Sequence, residues 1–132
     1  MRIIDGAKIA RELEKKLTIR PGTVPCLGII VFADDRAGQV YSRLKIEAAK
    51  RIGIKVITSH DPVVLAEWND DPSIHGILIQ RPGYRGQEFE KYWGQLVNKI
   101  NPAKDVDGLR PDSKFIPATV RAVEKILTSV NI

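Results

Sequence analysis

Cys26 is the one cysteine in 132 residues. Neither an internal disulfide framework nor a metal site made of cysteines alone can therefore form. The two histidines, His60 and His75, have no second ligand at a metal-like spacing, so each reads as a packing or surface residue and no metal is expected. No apolar run approaches the ~18–20 residues of a membrane span, and the opening MRIIDGAKIARELEKK is too charged for a signal peptide. Glycines never stand in a G-x-G pair and G-x-x-x-x-G-K does not occur, which removes the dinucleotide fingerprint and the phosphate loop. The net charge of +5 comes from 21 basic and 16 acidic residues that are interspersed. Without a basic stripe carrying interleaved aromatics, that charge admits an anionic small molecule and gives no support to nucleic acid as a partner. What is present suits a single cytoplasmic globular domain over 1–132, since 43% hydrophobic residues can fill one core.

The apolar pattern alternates between two periods. Residues 5–18 read as an amphipathic helix, with Ile9, Leu13 and Leu17 at i, i+4, i+8, Asp5 as N-cap and Pro21-Gly22 as the stop. CLGIIVFA (26–33) is a short continuous apolar run, as in a strand buried on both faces. A solvated Asp34-Asp35-Arg36 leads to a helix over 38–52, whose apolar stripe is Val40, Leu44, Ala48 and Ile52 and whose end is marked by Gly53. A strand at 54–58, a helical turn with Val64, Leu65 and Trp68, and a strand HGILIQ (75–80) follow. After the Pro- and Gly-rich loop RPGYRG (81–86) comes a helix with Phe89, Trp93, Leu96, Val97 and Ile100 on one side. The loop 101–117 then precedes a last helix carrying Val120, Val123, Ile126, Leu127 and Val130. Apolar strands alternating with helices specify an α/β domain of three layers, an open and mainly parallel sheet with helices on both faces.

Ligands of such sheets bind beyond the carboxyl ends of the strands, so the loops after 32, after 80 and before the last helix hold the candidate residues. Tyr41 and Lys45 are four apart and share a helical face near its start. A lysine there can lean over the strand ends beside a ring able to stack on a planar ligand; the alternative is an ordinary exposed pair. Gln80 ends an apolar strand, where its amide can bond both a lysine and a ligand, or simply meet solvent. Asp105 and Asp107 in KDVDG offer either a turn with solvated carboxylates or an acceptor for two N–H bonds from an amidine-like edge. Thr119, after Pro117, is either a cap or a ligand contact. Cys26 starts a strand and reads as a small core residue.

IIDGAKIA, YSRLK followed by EAAKRIGIKV, HGILIQRP, INPAKDVDG and FIPAT occur here in that order. With them the chain, from about Ile3 to Ile132, resembles the catalytic domain of the methylenetetrahydrofolate dehydrogenase/methenyltetrahydrofolate cyclohydrolase family. The resemblance implies a folate site and a place in one-carbon metabolism, including its supply to purine biosynthesis. By matching positions, Lys45 is the catalytic lysine that activates water or relays its proton, and Gln80 is the partner that orients it. Tyr41 stacks on the folate, Asp107 holds the pterin edge, and Pro82 and Thr119 line the substrate. In the family, hydride passes from 5,10-methylenetetrahydrofolate to NADP, and water opens the methenyl product to 10-formyltetrahydrofolate.

Departures from that pattern are local. Gly38 stands where the family has Ser, Arg81-Pro82-Gly83 where it has Leu-Pro-Leu, and Pro117-Ala118-Thr119-Val120 where it has Pro-Cys-Thr-Pro. The stretches before HGILIQ and between DVDG and FIP are several residues shorter. Family members continue into a dinucleotide-binding domain that these residues do not contain, so NADP is expected to bind only a full-length member. A monomer is expected over a homodimer. The alternative to an enzyme domain is a non-catalytic folate- or partner-binding module derived from it.

Overall fold

The computed structural model describes residues 3–17, 19 and 22–131, and strands alternate with helices through them. Helix α1 (Gly6–Lys15) opens on Asp5, whose Oδ1 accepts the Lys8 amide at 2.9 Å. It ends before the expected 18, because the Lys16 and Leu17 amides turn back to the carbonyls of Leu13 and Glu14 and tighten the last turn. Thr18 and Pro21 lie outside the described residues. Strand β1 (Cys26–Ile30), helix α2 (Arg36–Arg51), strand β2 (Lys55–Ser59), a 3-10 turn (Pro62–Val64), helix α3 (Leu65–Asp70) and strand β3 (Gly76–Ile79) follow. Helices α4 (Gln87–Val97) and α5 (Ala118–Ser129) complete the order. Among the described residues no helix is long and apolar enough to cross a membrane.

The three strands form one parallel sheet in the order β2-β1-β3, with Gly28 level with Ile57 on one side and Ile77 on the other. The chain leaves β1 toward one neighbour and then crosses back over β1 to reach the other. Two right-handed crossovers running in opposite senses put α2 and α3 on opposite faces, the three-layer arrangement read from the sequence. On the α3 face, Ile30, Ile77 and Ile79 pack with Leu65, Trp68, Trp93, Leu96, Val97 and Ile100, all buried. Trp68 lies so close to β1 that a methyl group on Gly28 would stand 2.5 Å from its Cε3. Cys26 is buried in this core as expected, and its amide donates to Nδ1 of His75 at 3.1 Å.

Two apolar stripes fall elsewhere than expected. Val40 and Leu44 of α2 face solvent, and the helix instead buries Gly38, Ser42 and Ala49. Small side chains on that line let the helix axis approach the sheet, which larger residues would hold away. The stripe of α5 is likewise open at Val120, Val123 and Leu127, and neither α1 nor α5 buries a residue fully. Between these two helices runs a groove of ≈ 640 Å³ lined by Leu13, Leu17, Phe115 and Ile116.

Candidate active site

Helix α2 starts at Arg36, two residues before the expected 38. Gly38, Ser42 and Lys45 consequently follow one another down its inner side, and the lysine reaches the carboxyl end of β3. There Lys45 Nζ donates to Gln80 Oε1 at 3.0 Å, both side chains being half-buried. Gln80 is held at that point by the sheet, since its own amide donates to the Ile30 carbonyl at 2.8 Å. The lysine and the glutamine that the resemblance paired thus form one hydrogen-bonded couple. The oxygen of an amide faces the ammonium, which leaves the amide nitrogen turned away as a donor.

Asp105 and Asp107, which the KDVDG pattern alone does not distinguish, take opposite roles. Asp105 is 0% exposed and belongs to the scaffold: its two oxygens accept the amides of Leu109 and Arg110, each at 3.0 Å. Its backbone pairs in parallel with Ile77, and Ile77 donates to the Lys104 carbonyl at 2.7 Å. Lys104 Nζ in turn ties the segment to the carbonyls of Trp68 and Asp71 at 2.8 and 2.6 Å. Held this way, Asp107 is turned into the field of Lys45. Burial pushes its carboxyl above the ordinary value of 3.8, the Lys45 ammonium draws it part of the way back, and Asp105 adds to the rise.

The stretch before α2 also differs from expectation. Asp34 is exposed, but Asp35 is only 7% exposed, and as N-cap it makes no capping bond. Its carboxylate lies over Gly38: a Cβ added there would meet Asp35 Oδ2 at 2.0 Å and Gln80 Cγ at 3.1 Å. Asp35 Oδ2 and Ser42 Oγ are buried without a hydrogen-bond partner. Neither was picked out from the sequence; the one available signal was an Asp immediately ahead of a helix. The Asp34 carboxylate at its hydroxyl, helped by burial and by the charges of Asp34 and Asp35, pushes Tyr84 up to about 12.

Arg81, which in the sequence sets a charge beside Gln80, is drawn toward α4. Its guanidinium stands 5.5 Å from the Phe89 ring centre and 5.2 Å from that of Trp93, and bonds Glu90 at 2.5 Å. Pro82 is fully buried behind it. Tyr41 is 61% exposed on α2, one turn before Lys45. Thr119 is exposed in the first turn of α5, where Pro117 occupies the cap position, so it is not the cap. Its segment is joined to the Asp107 turn through Gly108, where a Cβ would come within 2.6 Å of the Phe115 carbonyl oxygen and 2.8 Å of the Pro117 nitrogen. Lys45, Gln80 and Asp107 are thus brought together, Tyr41 borders them, and Thr119 adjoins them through the chain.

The start of α2 does not fit the pyrophosphate of a dinucleotide. The turn after β1 presents Asp34 and Asp35, and the glycine of the first helical turn lies beneath a carboxylate. Among the described residues, no group of three acidic, histidine or cysteine side chains is placed to hold a metal ion.

Residues 4–107 match the family described as tetrahydrofolate dehydrogenase/cyclohydrolase, catalytic domain. The chain is 33% identical over 152 residues to the bifunctional protein FolD of Acidiphilium cryptum, covering 99% of this chain and 53% of that protein. It is 37% identical over 129 residues to the FolD of Chlorobium limicola, covering 86% and 42%. A crystal structure of a bifunctional 5,10-methylenetetrahydrofolate dehydrogenase/cyclohydrolase from Thermoplasma acidophilum superposes with a TM-score of 0.84 at 30% identity, over 98% of this chain and 53% of that one. The chain spans about half the length of the curated relatives it matches.

Proposed function

Because the chain belongs to the tetrahydrofolate dehydrogenase/cyclohydrolase family, we propose that the carboxyl edge of its sheet binds a reduced folate and hydrolyses the methenyl form to the 10-formyl form. The observation that carries this reading is the Lys45–Gln80 couple at 3.0 Å with a half-buried Asp107 in the same field. Water adds to the bridging carbon of the methenyl cation and gives up one proton. The bond from that carbon to N5 then breaks as the hydroxyl proton passes to N5, so that the C=O forms and the formyl group stays on N10. For this step Lys45 acts as the neutral amine, donating one N–H to Gln80 Oε1, which fixes the direction of Nζ, and taking the proton from the attacking water on its lone pair.

Asp107 supplies two oxygens to the N–H edge of the pterin, a pairing whose donors favour the ionised carboxylate that burial alone disfavours. Tyr41 offers a ring face to the planar part of the ligand, Pro82 gives the loop behind Gln80 a rigid floor, and Thr119 lines the side toward α5. The reading assigns these residues the folate-handling step. Hydride transfer to NADP is not assigned to them, the turn after β1 carrying Asp34 and Asp35 in place of a glycine-rich phosphate loop.

Calorimetric titration with 5,10-methenyltetrahydrofolate, beside the decay of its absorbance, tests the proposal. The parent is expected to bind and to hydrolyse, and Lys45→Met to bind and hydrolyse about 100-fold more slowly or worse. Absence of binding, or a decay equal in parent and variant, refutes it. Binding with decay at the buffer rate in both is the signature of a folate-binding module in place of an enzyme.

A further inference from the structure

Asp35 is a buried carboxylate that no step above uses. It stands at the N-cap of α2, where an Asp ordinarily bonds the amides of the first turn, and it does not do so. Its side chain is turned inward instead, over the bare Cα of Gly38 and alongside the stem of Gln80. Oδ2 ends there, buried and without a donor. On the neighbouring side chain, Gln80 Oε1 is engaged by Lys45, and the amide nitrogen makes no bond to a protein acceptor among the described residues. A buried acceptor without a donor and an amide nitrogen that no described protein acceptor engages therefore occupy adjoining side chains, and it is the buried Asp35 oxygen that is unfavourable to leave unmet.

From this juxtaposition we infer that Asp35 is a positioning residue for the Lys45–Gln80 couple, accepting from Gln80 Nε2 and so holding Oε1 toward Lys45. Gly38 is the other half of the device. With a Cβ position 2.0 Å from Oδ2, a side chain at 38 and an inward Asp35 exclude each other. An amide has two nearly isosteric orientations, one giving Lys45 an oxygen and the other an NH2 group that repels the ammonium. A carboxylate on the far side selects the first. Position 38 thus decides whether the loop ahead of α2 takes part in the site. The inference concerns the orientation of Gln80 and is testable whether or not the folate reading holds.

The test is side-chain NMR on the 15N-labelled chain, with the Gln80 NH2 pair identified by its loss in Gln80→Leu. Asp35→Ala and Gly38→Ser are each expected to move that pair upfield and to speed its hydrogen exchange about tenfold. Asp35→Asn, which keeps an acceptor oxygen, restores most of the parental shift. A merely structural role would move backbone amides throughout the start of α2 and would not be rescued by Asn. Where the parent hydrolyses methenyltetrahydrofolate, Asp35→Ala lowers kcat about tenfold with KM nearly unchanged. A Gln80 pair that keeps its parental shift and exchange rate in folded Asp35→Ala and Gly38→Ser overturns the inference, and a parent without turnover leaves this readout intact.

Discussion

Asp105→Ala is the substitution expected to damage the scaffold most for its size. The wild-type carboxylate is 0% exposed and accepts two backbone amides at 3.0 Å each. A hydrogen bond to a charged acceptor contributes roughly 1.5–3 kcal/mol, and a buried amide left unmet loses its desolvation cost outright. Two such amides give about 3–6 kcal/mol, reduced because a buried charge no longer has to be desolvated. A net loss of about 3 kcal/mol follows, a large part of the roughly 5–15 kcal/mol by which small domains are stable. With a urea m-value of about 2 kcal/mol/M, the unfolding midpoint falls by about 1.5 M. Asp105→Asn retains one acceptor oxygen and falls about half as far. Since the same turn aims Asp107, folate affinity drops in Asp105→Ala even under conditions where the variant is fully folded. A midpoint within about 0.3 M of the parent refutes the reasoning, because the two amides would then have found other acceptors at no cost.

Three further substitutions test other parts of the structure. Gly28→Ala puts a methyl group 2.5 Å from Trp68 Cε3 and is expected to cost about 1–3 kcal/mol by overpacking, read as a lower thermal midpoint; an unchanged midpoint would show that the ring moves freely. The half-buried Asp107 carboxyl titrates above the ordinary value of 3.8, so the folded chain holds its proton over a range in which the unfolded chain has lost it. That contribution to stability falls as pH rises through this range, and Asp107→Asn, which cannot ionise, gains on the parent at pH 7 and not at pH 3 in urea melts. An advantage equal at both pH values would separate the effect from ionisation. Arg81→Ala removes two ring contacts and an exposed ion pair, for a loss of about 1 kcal/mol in urea melts with unchanged folate affinity; weakened folate binding would place the guanidinium in the site.

Those features of the site that depend on strand ends and helical spacing were legible in the sequence. Gln80 closes an apolar run, so it had to emerge at the sheet's edge, and Lys45 sits one turn beyond Tyr41 on the following layer's helix. By residue pattern alone Asp105 and Asp107 were not separable, and only the family resemblance singled out Asp107; the difference lies in a single parallel backbone pairing of Asp105 with Ile77 that no local pattern encodes. The buried face of α2 was misread for a related reason. Hydropathy selects Val40 and Leu44, whereas close packing on a sheet selects Gly38, Ser42 and Ala49. Asp35 was read as solvated because a helix beginning at 38 leaves it in the preceding loop; a helix beginning at Arg36 makes it the cap and carries it inside.

The pairing of Asp105 with Ile77 also bears on how the molecule behaves in a crowd. A sheet ends in rows of free amides and carbonyls that invite another chain to add a strand. On the outer side of β3 that row is interrupted, since Ile77 already donates to Lys104 and pairs with Asp105. Strand addition is thereby steered to the opposite border, β2, where an exposed Lys55 stands at the start of the strand. The turn that carries Asp107 is, in the same stroke, a guard against growth of the sheet from that border.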